Sequence, residues 1–492
     1  MTANPASAPD DLEALAKGGR TNIAGFFIRL IARIPFLFIA GQWYGAEALG
    51  RMAYALLVIE FAAQVATLGL KRGLALHLSG EGRAGGAWDC LLLVAIASIV
   101  PTVLLMIAPQ IMFPNSGTNR LDLLLPLAIP ALAVTDILLA ALAYRFDVGA
   151  TVRARAIIEP WTISIGAFAF SWYSLRDGLL MAYGLSIVAA LIAAIIPFAR
   201  SYGSPSGWRP AGAGLFRLAR LNLPLAIADA LEWGSRRLDL AILGLFVSPA
   251  TVGIYWAAQQ VASLPQKLKT SFDPILGPVI TRKLEAGDRA AVARQISQVG
   301  FWILAAQAGI ALALGIPAEA IMGLIGPGGS FVGGSGALAF LLIAEVAAAA
   351  AVVSEAALVY IARHRNFLIS IAMIGLQGGL SLVFILAMRA RGLDEMFQAA
   401  APAIALAVSL GIGSIIKVRL AQRLLGAGIS IWRSSLVTAT AAAALTGWVA
   451  TQGPEWSELL FGIPAILGAY GWFIWKWGFG EEDRTLFRKG AG

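Results

Sequence analysis

The sequence predicts an all-α polytopic membrane protein of about fourteen transmembrane helices, built as two six-helix lobes related by pseudo-two-fold symmetry plus two C-terminal helices. Three observations predict it. Apolar runs of 18 residues or more recur along a chain that is 59% hydrophobic and 13% charged, with mean hydropathy +0.77. No soluble domain hides that much apolar surface, so the runs read as bilayer spans. A stretch near the middle also repeats one near the start: moved by 203 positions, Arg33 falls on Arg236, Leu37 on Leu240, Ile39 on Ile242, Gly41 on Gly244, Gly50 on Gly253, Ala55 on Ala258 and Val58 on Val261, with no gap. That period is too long for a solenoid unit and fits two related halves. Finally, with the N-terminus inside, the topology sorts 28 basic residues to one side of the bilayer and five to the other, leaving four within spans. This positive-inside asymmetry fixes an even number of spans with both ends cytoplasmic.

Residues 1–200 form the expected N-terminal lobe, with spans near 22–44, 48–70, 87–109, 122–145, 156–174 and 178–199. A linker over 201–216 is rich in Ser, Pro and Gly (Ser201, Gly203, Ser204, Pro205, Ser206, Gly207, Pro210), a composition that connects lobes flexibly. The C-terminal lobe, 217–420, carries spans near 217–247, 250–266, 293–316, 337–361, 367–388 and 397–420. Residues 421–492 add two spans near 431–451 and 457–477, closed by Trp472, Trp475 and Trp477 beside Lys476 as an interfacial anchor, and a cytoplasmic tail. The polar segment Met1–Arg20 has no short apolar core with a cleavage site, so no removable signal peptide is expected there. The longest far-side loop, about 317–336, contains Gly326-Pro-Gly-Gly-Ser-Phe-Val-Gly-Gly; without a preceding strand or a Lys-Ser/Thr ending it reads as a lid or plain connector, not a phosphate loop. Gly375 and Gly379 form a small-xxx-small pair that predicts close helix packing.

Composition excludes several classes. A single cysteine, Cys90, rules out an internal disulfide, and His77 and His364 stand in basic loops with no clustered partner, so neither a metal nor another cofactor is expected. The net charge of +9 follows from topology and does not point to nucleic acid. No nucleophile–His–acid set, metal-ligand spacing or Walker motif appears, so no catalytic residue is assigned.

The seventh span organises the rest. Asp229, Glu232, Arg236 and Asp239 fall within roughly 80° of one helix face at 100° per residue, and Arg237 is adjacent. A charge in lipid costs at least about 2.5 kcal/mol, so that face looks into a bundle or a watery cavity. A structural pair, Glu232 with Arg236 at i,i+4, is the plainer reading; a cavity wall is the sharper one. Arg29 and Arg33 on the first span stand one turn apart, as do Glu60 and Gln64 on the second. Asp136, Glu345, Glu355 and Gln377 complete the intramembrane polar set, with Glu355 near enough to Arg363 and Arg365 to be interfacial. Arg29, Arg33, Arg236 and Arg237, on equivalent helices of the two halves, predict a cationic central pocket, since guanidinium binds phosphate bidentately and keeps its charge when desolvated. Glu60, Asp229, Glu232 and Glu345 are the candidates for proton or sodium coupling, because buried carboxylates titrate in a useful range unless paired.

The chain resembles a known family. Gly19-Arg-Thr-Asn-Ile-Ala-Gly opens the first span, which ends at Gly41; Gly45 to Gly50 leads into the second; and Pro274-Ile-Leu-Gly-Pro-Val-Ile-Thr-Arg-Lys-Leu-Glu-Ala-Gly-Asp288 precedes the ninth. These features, with the six-plus-six-plus-two layout, resemble the bacterial polysaccharide and oligosaccharide-lipid flippases, of the O-antigen and exopolysaccharide translocase type. That family belongs to the superfamily of multidrug and oligosaccharidyl-lipid exporters. The resemblance implies alternating access of two lobes, a polyprenyl-diphosphate-linked oligosaccharide as cargo, a bacterial inner-membrane location, surrounding membrane lipid, and polymerase or glycosyltransferase partners of the same lipopolysaccharide or exopolysaccharide pathway. It transfers no individual binding residue. The acidic-aromatic signature of lipid II flippases after the first span is absent. An ion-coupled multidrug exporter and a lipid II flippase remain the alternatives, with a non-transporting scaffold for glycan synthesis as a third class.

Overall fold

A computed structural model describes residues 34–81, 84–205, 207–270, 273–481 and 483–484. Among them the chain is helical and no strand forms. Lipid imposes this: with no water in the bilayer core, each backbone N–H and C=O must be satisfied within its own segment. Nine helical segments among the described residues are long and apolar enough to cross a membrane, which makes this a multi-pass membrane protein.

Helix α1 covers 34–39 and runs into a π-turn at Ala40–Tyr44; α2 (Gly45–Ala66), α3 (Leu70–Glu81) and α4 (Ala84–Ile107) follow. Next come α5 (Ala128–Tyr144), α6 (Glu159–Phe170), α7 (Gly178–Tyr202), α8 (Gly212–Ser235) and α9 (Leu238–Leu243). The remainder is α10 (Pro249–Thr270), α11 (Asp273–Glu285), α12 (Arg289–Gly315), α13 (Ala318–Ile325), α14 (Ser335–Ile361), α15 (Arg363–Ala390), α16 (Glu395–Leu425), α17 (Ser435–Ala450) and α18 (Ile463–Phe473). Each expected span thus finds a helix, the first only from residue 34 onward.

The chain packs as two compact units that divide after Ile254, within α10. In the first, α2 is central and packs against α4, α5 and α8. Its breaks are local backbone events: Gly45 at φ 79° ends the π-turn, and Leu68 with Gly69, at φ 50° and 71°, turns the chain from α2 into α3. Gly69 is the residue that tolerates this left-handed geometry. In the second unit α14 and α15 both pack along α16, α12 lies against α14, and α17 packs on α18. Interhelical hydrogen bonds support this: Ser409 Oγ donates to the Met373 carbonyl at 2.7 Å and Ser414 Oγ to the Ala347 carbonyl. Such bonds, worth about 0.6 kcal/mol on average, hold helices together where no hydrophobic force separates protein from lipid. Phe301, Trp302, Val353, Leu358 and Ile466 are in its buried core.

Two expectations are corrected here, and a third is narrowed. Gly375 and Gly379 face open space on the lightly buried α15; the close helix crossings among the described residues use other glycines. Of the two readings of the glycine-rich loop, the connector is the one that fits: it forms short turns at Pro327–Gly329 and Val332–Gly334 around the fully buried Phe331. The seventh span is not one continuous helix: it stops at Ser235 and restarts at Leu238, with Arg236 and Arg237 (φ −124°, ψ 6°) at the break.

Candidate functional site

The break in the seventh span decides which of its charges act together. Asp239 opens α9 and is buried at 2%, whereas the Arg236 side chain before the break is 64% exposed, so the two do not share the face expected of a straight helix. Asp229, Glu232 and Arg236, on or just after the last turns of α8, do remain together.

Their partner comes from α3. Gly69 and Gly73 let α3 lie almost on the backbone of α8: a Cβ on Gly69 would be 2.5 Å from the Ala226 nitrogen, and one on Gly73 would be 1.8 Å from Asn222 Oδ1. This approach delivers Arg72 to two carboxylates. Its Nε lies 2.9 Å from Asp229 Oδ1 and its Nη2 2.6 Å from Glu232 Oε2, while the other oxygen of Glu232 accepts from Arg236 Nη2 at 2.8 Å. Glu232 is therefore shared between two guanidiniums. One turn away, Arg237 Nη2 is 3.5 Å from Glu60 Oε2, and its guanidinium stands 5.4 Å from the Trp233 ring, itself against Phe61.

A second chain of charges adjoins on α3 and α5. Lys71 Nζ is 3.2 Å from Asp136 Oδ2, Arg155 also pairs with Asp136, and its Nη1 donates to Glu159 Oε2 at 2.7 Å.

Exposure separates the roles. Arg72 and Glu232 are 54% and 46% exposed, so their pair contributes under about 1 kcal/mol. The Asp229 side chain, 3% exposed, has Arg72 as its counter-charge. Exposed guanidiniums held in place by carboxylates can exchange those carboxylates for another anion.

The start of α2 is built differently. Arg51 and Asp122 form an ion pair at 3.0 Å with side chains 4% and 0% exposed. Arg51 also donates to Gly117 O at 2.7 Å and Ser116 Oγ at 3.1 Å and sits over Phe113. Asn119 bridges to Asp177 at 2.9 Å, and Asn115 donates to the carbonyls of Gly244 and Val247 after α9. At 1.5 Å rise per residue, the 15 residues from Arg51 to Ala66 hold this buried end about 20 Å from the charged end of α2 near Arg72.

Of the residues singled out in the sequence, Asp229, Glu232 and Arg236 meet in one cluster, and Glu60 meets Arg237. Glu345 is buried in α14 of the second unit. Arg29 and Arg33 lie outside the described residues. Sequence reasoning missed Arg72, Lys71 and Arg155 as members of the network, assigning them to cytoplasmic loops. The signal that could have found Arg72 is its place between Gly69 and Gly73, a spacing that brings a helix onto its neighbour.

The sequence matches no known protein-family model and no curated protein. Solved structures do match. The lipid II flippase MurJ in its inward closed conformation aligns with a TM-score of 0.69 at 13% identity, over 92% of this chain and 97% of that one. An inward-facing multidrug resistance MATE family transporter of the MOP superfamily aligns at 0.60 and 13% identity, over 81% and 98%. A MOP superfamily transporter from Pyrococcus furiosus, described by the reverse polarity of its binding pocket, aligns at 0.55 and 12% identity, over 85% and 96%. The fold is therefore that of MOP-superfamily transporters. The proteins that share it in these comparisons are a flippase and transporters, not enzymes.

Proposed function

We propose that this protein is a flippase that moves a polyprenyl-diphosphate-linked oligosaccharide from the cytoplasmic to the outer leaflet of a bacterial inner membrane, for lipopolysaccharide or exopolysaccharide synthesis. One observation carries the reading: on a flippase-type fold, Arg72, Arg236 and Arg237 gather as exposed side chains at one end of the first unit, held by carboxylates that an anion can replace. The glycan and diphosphate need polar partners in transit, whereas the prenyl tail stays in lipid at no cost. In the resting protein Glu232 occupies the donors of Arg72 and Arg236. The incoming diphosphate takes its place, and Arg29 and Arg33, equivalent in sequence to positions on the seventh span, add donors from the first. Both termini lie in the cytoplasm on this reading, as the basic residues favour.

Coupling follows from the same exchange. Protonation of Glu60, Asp229 or Glu232, or sodium binding to them, frees a guanidinium for the cargo; Glu345 is the corresponding candidate in the second unit. Polymerase and glycosyltransferases of the same pathway are the expected partners. The lipid II flippase alternative draws support from the MurJ likeness, and the ion-coupled multidrug exporter from the MATE likeness. Three half-exposed arginines disfavour a pocket for cationic drugs. The test is reconstitution of the full chain in proteoliposomes with three cargos: a polyprenyl-diphosphate oligosaccharide, lipid II and a lipophilic cationic dye. Leaflet exchange of the first alone is expected. Exchange of the dye without the glycolipid overturns the proposal.

A further inference from the structure

A groove of about 500 Å³ opens between α15 and α16 in the second unit, and its wall includes Arg365, Arg419 and Arg423. The helical period builds it. Arg365, Leu368 and Ile369 stand at i, i+3 and i+4 on α15, and Ile416, Arg419 and Arg423 at i, i+3 and i+7 on α16. Since α15 begins where α16 ends, the two arginine-bearing faces meet at one end of the pair, and the apolar residues continue from them along the span.

The three guanidiniums are exposed and, among the described residues, have neither carboxylate nor hydrogen-bond partners. Lys417 between them differs: it is buried, its Nζ 2.9 Å from Glu355 Oε2 and 3.1 Å from Ser370 Oγ, so its charge is compensated. Three uncompensated cations facing one groove repel one another unless an anion joins them. The surface beyond them is apolar and outward-facing: Leu368 and Ile416 are exposed, and α15 is the least buried of the nine long apolar helices among the described residues. Guanidinium matches a phosphate bidentately, and basic pockets between spanning helices bind anionic headgroups.

We propose that this groove binds an anionic phospholipid of the surrounding bilayer, its phosphate on Arg365, Arg419 and Arg423 and its acyl chains along Leu368 and Ile416. The site is separate from the cargo face of the first unit and stands on the membrane location alone.

The test is lipid binding to the purified full chain in detergent, read by native mass spectrometry. The probes are phosphatidylglycerol and phosphatidylcholine with identical acyl chains. The tightest-held phosphatidylglycerol is expected to bind at least about tenfold more tightly than phosphatidylcholine, a difference three charge-assisted contacts readily supply. Arg365→Gln/Arg419→Gln/Arg423→Gln should abolish that preference. Leu368→Trp/Ile416→Trp, which keeps the charges and fills the groove, should abolish it too. Equal binding of the two lipids by the native protein, or a preference kept by either variant, overturns the proposal. Displacement by inorganic phosphate at equal concentration overturns the lipid assignment.

Discussion

Gly50 and Gly253, equivalent residues of the 203-residue repeat, pack against each other reciprocally. A Cβ on Gly50 would be 1.7 Å from the carbonyl oxygen of Pro249, and a Cβ on Gly253 would be 2.0 Å from that of Ala46. Pro249 is the repeat equivalent of Ala46, so each glycine meets the neighbour of its own counterpart. That is the signature of a two-fold axis between them, and because both copies run in the same direction the repeat is parallel.

The first prediction tests this crossing. Gly50→Ala and Gly253→Ala should each lower stability by about 1–3 kcal/mol, the usual cost of overpacking. Because both open the same contact, the double variant should cost clearly less than the sum. Thermal unfolding of the four proteins in detergent measures it, and strict additivity would place the two glycines in independent contacts.

Arg51 and Asp122 supply the second. Breaking a buried ion pair leaves an uncompensated charge and costs about 3–5 kcal/mol, whereas replacing both partners with apolar residues is often neutral. Membrane abundance should therefore collapse for Arg51→Ala and recover substantially for Arg51→Met/Asp122→Leu. Equal loss in both would mean that the contacts to Ser116 and Gly117, not the pair, hold this end.

The third concerns Arg72. Arg72→Ala strips the counter-charge from the buried Asp229, so both protein level and transport should fall. Adding Asp229→Asn should restore the level without restoring transport, because the guanidinium is still missing. Restored transport would reduce Arg72 to a structural partner.

A pH dependence is expected at the C-terminal segment. Burial pushes the Asp483 carboxyl up, but Arg433, the Gly480 N–H and the Trp302 indole, which donates at 2.8 Å, outweigh it and hold its pKa below the usual value. A depressed carboxyl stabilises above its unfolded pKa of about 3.9 and loses that contribution as pH falls through the folded value. The Tm difference between the native protein and Asp483→Asn should thus stay constant from about pH 8 to 5 and shrink only below about pH 4. Shrinkage near pH 6 would contradict the arrangement.

Much of the fold was legible because lipid leaves few options: apolar runs of bilayer length become helices, and the repeat of Gly50 in Gly253 was visible without a structure. The Glu232–Arg236 pair was legible too, since i,i+4 spacing fixes it within one helix. Arg72 was not, because its partnership depends on how α3 lies against α8, and nothing in helical periodicity reports on a neighbouring helix. Asp239 misled for a related reason. A period of 100° per residue places its face only along a continuous helix, and two residues at the Arg236–Arg237 break change the direction of the side chains that follow.

The central claim is that guanidiniums of the charged face carry the diphosphate. The most direct measurement is export of the lipid-linked oligosaccharide, normalised to protein level, in Arg236→Lys, Arg236→Ala and Arg236→Ala/Glu232→Ala. Lysine keeps the charge but loses the two-pronged contact, so Arg236→Lys should retain part of the activity. Arg236→Ala should lose most, and the double variant should stay inactive despite normal abundance. Restored export in the double variant would show that Arg236 serves only to neutralise Glu232, and would contradict the account.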